Sequence, residues 1–152
     1  MATPQSFDFY FDPSCPWTWA TSRWLVDAAG QTGAEIHWRS LSLGVVNADR
    51  DIPEQYRSAM EAGAKAHRVI AALRAAERND LVGDFYTEWG RRTHHDGVET
   101  SADLAGEVAT AIGAEQWALA ADDASWDAEV EGADKEGQDL AGGLDVIPPL
   151  LA

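Results

Sequence analysis

The chain has 152 residues, which suits one domain with room for an inserted subdomain, and 45% of them are apolar, enough for an ordinary buried core. Its 11 Lys and Arg face 26 Asp and Glu, a net charge of −15 that repels nucleic acid and anionic membrane surfaces, so neither is an expected partner. No apolar run reaches the roughly 18 residues of a membrane span, and a lone cysteine excludes an intrachain disulfide, as suits a reducing cytosol.

Phe7-Asp8-Phe9-Tyr10-Phe11 is an aromatic run of strand composition. It begins too early to leave room for a signal peptide, so a cytoplasmic location is expected. Asp12-Pro13-Ser14 is turn chemistry that stops the strand. Pro16 suits the first turn of a helix, and Trp17 to Ala29 continues it. Cys15 therefore falls at a helix N-terminus, where free N–H groups and the macrodipole favour an anion by roughly 0.3–2 kcal/mol. Thr18 is placed to point its hydroxyl back at the sulfur. Cys15 thus reads as a reactive thiolate, against the alternative of a small buried apolar residue.

Trp17, Trp24, Leu25 and Ala28 have spacings that share a helix face, and Gly30 and Gly33 bracket its end. Residues 36–43 alternate with period two and form a second strand, parallel to the first. This β-α-β unit puts Cys15 at the carboxyl end of its first strand, where open α/β sheets bind ligands. A polar loop over 44–52 follows. A long helix over about 53–78 carries a stripe of Tyr56, Met60, Ala64, His67, Ile70 and Leu73. His67 reads as a partly buried helix histidine in preference to a base or ligand, because no second ligand is near in sequence.

Leu81, Val82, Phe85, Tyr86 and Trp89 make a further amphipathic segment, ending in a loop with Arg91-Arg92 and His94-His95-Asp96. Adjacent loop histidines diverge, so no metal site is expected; the arginines suit a carboxylate of a thiol cofactor or simply solvent. Thr100-Ser101-Ala102-Asp103 looks like the N-cap of a helix bearing Leu104, Val108 and Ile112, Trp117 to Ala121 makes a short one, and Ser125 caps a last helix with Trp126, Val130, Ala133 and Leu140 inward. The expected organisation is a βαβ unit over 1–48, a helical insertion over 49–122, and a return helix with the start of a third strand over 123–152.

Asp12-Pro13-Ser14-Cys15-Pro16-Trp17 followed by Thr21-Ser22-Arg23-Trp24 resembles the DsbA-type branch of the thioredoxin superfamily. More narrowly, it is similar to actinobacterial DsbA-like oxidoreductases that include mycothiol-dependent nitroreductases. The resemblance implies an α/β, thioredoxin-like fold with an inserted α-helical subdomain. It makes Cys15 the nucleophile, with Thr18 where relatives often carry a second cysteine. Pro16, Trp17 and Trp19 then line a groove, and Pro149, or else Pro148, stands opposite as a cis proline. No bound cofactor is implied; the co-substrate is a low-molecular-weight thiol such as mycothiol, with a disulfide or electrophile as substrate. The hairpin and helix that follow the proline in the family are absent after Ala152, so a truncated sheet able to self-associate into a homo-oligomer is expected. A kappa-class glutathione-transferase-like or 2-hydroxychromene-2-carboxylate-isomerase-like enzyme, and an inactive remnant, are the alternatives.

Overall fold

Alternating aromatics build the first strand. In a computed structural model describing residues 5–142, β1 (Ser6–Phe11) lies parallel to β2 (Glu35–Ser40), in register from Ser6 opposite Glu35 to Phe11 opposite Ser40. The crossover is α1 (Pro16–Thr32), which starts on its proline and stops at Gly33, whose φ of 74° is left-handed and whose N–H returns to the Ala29 carbonyl. The order β1–α1–β2 is compatible with a thioredoxin-like arrangement. The rest is helical: α2 (Leu43–Val46), α3 (Glu54–Ala75), α4 (Asn79–Gly90), a π-helical turn (Arg91–His95), α5 (Leu104–Ala111), 3₁₀ turns (Glu115–Asp122 and Ala124–Trp126) and α6 (Asp127–Ala141).

β2 ends at Ser40, short of the expected Leu43, because Ser42 turns to cap α2, its hydroxyl accepting from Val45 N. α4 meets the sheet through Asn79, which accepts from Trp38 N at 3.0 Å and donates to the Ile36 carbonyl at 2.8 Å. That one amide satisfies two main-chain groups of β2, as a neighbouring strand would.

α3 is the central helix, touching β2, α2, α4, α5 and α6. Its buried face is Ala62, Gly63, Ala66, His67, Val69, Ile70, Ala72 and Leu73. The expected stripe is thus corrected in its first half: Tyr56 and Ala64 are exposed. Above α3 the aromatics interlock. Phe11 stacks on Tyr86 at 4.2 Å between ring centroids, and Trp38 presents its edge to Phe9, Phe11 and Tyr86 at 5.7–5.8 Å. Trp89, Phe85, Leu104 and Val108 complete the same core.

Other expectations are corrected at helix ends. Within the expected cap stretch of α5 it is Asp103 that occupies the N-cap, with no side-chain hydrogen bond to the helix. Ser125 caps nothing; its N–H and hydroxyl are instead bound by Asp123 Oδ1. Leu140 is exposed.

Candidate active site around Cys15

Cys15 is a free, part-exposed thiol and the N-cap residue of α1. Pro16 directly after it makes an extended backbone favourable there, and Cys15 has φ −87° and ψ 116°. No side chain caps this helix end and its first turn carries no acid. The helix dipole at the sulfur is therefore not already neutralised.

Thr18 is placed differently from the expectation. Its hydroxyl donates to the main-chain carbonyls of Asp12 (3.1 Å) and Cys15 (3.2 Å), and accepts from Tyr86 Oη at 3.3 Å. The hydrogen bonds of this first-turn hydroxyl run to main-chain carbonyls and to Tyr86, so Thr18 secures the turn.

Asp12 organises the loop. Its Oδ1 accepts from Ser14 N at 2.7 Å and from the Ser14 hydroxyl. Its Oδ2 accepts from Leu43 N at 2.7 Å and from His67 Nε2 at 3.2 Å. Its carbonyl accepts from Cys15 N at 3.0 Å as well as from Thr18. Asp12 and His67 are 3% and 1% exposed, so each depends on the other for its main electrostatic partner. Burial acts to raise the Asp12 carboxyl; the charge and hydrogen bond of His67, with those from Ser14 and Leu43 N–H, outweigh it and hold the group below the ordinary carboxylate range.

A second brace comes from the π-helical turn. His94 Nε2–H donates to the Pro13 carbonyl at 2.8 Å, and its ring stacks on Trp19 at 5.9 Å. Trp19 also meets the edge of Tyr86 at 5.6 Å and carries the Arg23 guanidinium over its face at 4.1 Å. Trp19 therefore packs inward beneath the loop. Trp17, two residues after Cys15 in sequence, is 80% exposed, and Trp24 further along α1 is 68% exposed. Pro16 is exposed at the helix start. Pro148 and Pro149 lie outside the described residues.

Arg91 and Arg92 are already engaged. Both bond Glu88, Arg91 also bonds Asp96, and together the arginines' hydrogen bonds draw Glu88 down to about 2. Asp12, His67, His94 and Tyr86 are the site residues that sequence reasoning missed. Asp12 was legible as turn chemistry, but its partners are 31 and 55 residues away.

Residues 14–152, a span that opens one residue before Cys15, match the family model described as Rv2466c-like, mycothiol-dependent nitroreductase Rv2466c. A curated relative, the uncharacterized protein Rv2286c of Mycobacterium tuberculosis (strain ATCC 25618 / H37Rv), is 32% identical over 87 residues, covering 57% of this chain and 37% of the relative. The chain thus matches little more than a third of that relative's length. With the match running through the cysteine turn and all of the helical region, the chain belongs to the Rv2466c-like family.

Proposed function

We propose that this chain is a thiol-dependent oxidoreductase of the DsbA-like kind, working through one nucleophilic cysteine and a low-molecular-weight thiol, with mycothiol suggested by the family description. The carrying observation is Cys15 itself: part-exposed, free, and at an otherwise uncapped helix N-terminus. The Cys15 thiolate attacks one sulfur of a substrate disulfide; a new S–S bond forms as the old one breaks, and the other substrate sulfur leaves as thiolate. A second thiolate, from the small thiol, attacks the mixed disulfide, restores Cys15 and leaves as a new mixed disulfide, so electrons balance without a second protein cysteine. The same pair of thiols serves a nitro group: two thiols lose two electrons and two protons to form one disulfide, and the nitro group becomes nitroso with release of water. Trp17, two residues after Cys15 and largely exposed, offers an apolar surface for such a substrate.

The test is intact-mass analysis after exposure to a mycothiol disulfide and, separately, to iodoacetamide near neutral pH. One adduct at Cys15 that excess thiol reverses, and alkylation faster than in the urea-unfolded chain, are expected. Cys15→Ser should abolish turnover. Retained turnover, or alkylation no faster than in the unfolded chain, overturns the proposal.

A further inference from the structure

A buried histidine on the central helix has no evident reason to be charged or polar unless something beside it needs it. His67 faces the turn through Nε2, on Asp12, while its Nδ1 is buried without a hydrogen-bond partner among the described residues. α3 passes directly against the turn here: a Cβ at Gly63 would lie 3.4 Å from Ser14 Cβ and 3.7 Å from Asp12 Oδ1. The Asp12 carboxylate in turn holds both polar groups of Ser14, the residue before Cys15, and its carbonyl holds Cys15 N.

We propose that Asp12 and His67 are a positioning pair for Cys15: the carboxylate shapes the turn that presents the sulfur, and the imidazole offsets the negative charge which that carboxylate would otherwise set beside a thiolate. The proposal rests on Cys15 being the nucleophile. Neither residue touches substrate. Their effect runs through the Asp12–Ser14–Cys15 backbone and through charge at short range.

The titratable neighbours are few. From the turn come Asp12 and Cys15; from α3, His67; from α4, the Tyr86 hydroxyl, which feels both Asp12 and Cys15; from α6, Asp134, which feels His67 and Asp12; from the π-helical turn, His94 on the Pro13 carbonyl. Arg68, beside His67 in sequence, is committed to Asp127 at 2.8 and 3.0 Å and cannot replace the imidazole.

The arrangement makes opposite predictions for the two members. His67→Gln keeps a donor toward Asp12 but removes the compensating charge, so the midpoint of Cys15 alkylation against pH should move up by about half a unit or more. Asp12→Asn removes the negative charge and should move it down by a similar amount. The double variant should return close to the parent. A merely structural role predicts loosening in both single variants and movement in one direction. Iodoacetamide labelling of the full chain, read by intact mass across about pH 5 to about pH 9, measures the profile, and near-ultraviolet circular dichroism reports the fold.

Should Asp12→Asn fail to fold, His67→Gln still decides. Profiles that shift together, or an unmoved His67→Gln profile, overturn the pair. If instead the parent alkylates no faster than the unfolded chain, it is the nucleophile assignment that fails.

Discussion

Asp134 on α6 is fully buried, and one of its carboxylate oxygens accepts from Gln138. Burial pushes its carboxyl above the ordinary range, only partly opposed by the hydrogen bonds of Gln138 and of Ser42 N–H and by the charge on His67. A folded-state value raised above the unfolded one means that the folded chain holds this proton more tightly. Stability from this group is therefore present below the unfolded value, near 4, and is lost as pH rises through the folded value. Asp134→Asn removes the cost of the buried charge and should stabilise the fold by about 1 kcal/mol near pH 7, with the gain vanishing below about pH 4. Urea melts at the two pH values check this; an equal gain at both would show that charge is not the cause. Asp12 has the opposite sign. Its carboxyl is held low, so its contribution is present above the unfolded value and is lost as pH falls through the folded one.

At the scale of elements, glycines separate close packing from permitted packing. A Cβ at Gly90 would come within 2.1 Å of Trp19 Cε3 and Cζ3, against a ring already held by Tyr86, His94 and Arg23. Gly90→Ala should cost about 1–3 kcal/mol and displace Trp19, visible as changed tryptophan emission and slower Cys15 alkylation. At Gly63 the same Cβ meets Ser14 at ordinary contact distance, so Gly63→Ala should be neutral or gain up to about 1 kcal/mol in helix propensity. Equal stability of the two variants would refute the distinction.

The same elements show what could be seen beforehand. The strand, the Asp-Pro turn, the proline start of α1 and its Gly33 stop are local chemistry and were legible in order. The buried face of α3 is legible in its second half, His67, Ile70 and Leu73, but not in its first, where bulk at Tyr56 and Met60 suggests a core and the helix instead buries small residues, Ala62, Gly63 and Ala66, beside the cysteine turn. The π-helical turn has no sequence period, and His94 acquires its place only through a carbonyl 81 residues earlier. Asp12 and His67 looked ordinary separately; their meaning comes from 55 residues of chain being folded back.

Over the whole molecule, 26 acids outnumber 11 Lys and Arg, and many of those cations sit in short-range pairs at the surface, such as Arg57–Glu54, Arg78–Asp80 and Lys135–Asp139. Exposed pairs of this kind add little to stability. The unpaired acids repel one another more in the compact fold than in the expanded chain, so the summed field opposes folding. Added salt screens beyond a Debye length of about 10 Å at 0.1 M, shorter at higher salt, and so removes the long-range repulsion before it removes pairs in contact. The melting temperature should therefore rise as sodium chloride is added from low ionic strength, while the Asp12–His67 contact, shielded from solvent, keeps the Cys15 alkylation profile nearly constant. Calorimetry and labelling on the same salt series separate the two. A melting temperature that falls with salt would mean that the surface pairs outweigh the net charge, and a profile that drifts with it would mean that the thiol answers to the whole surface and not to its buried neighbours.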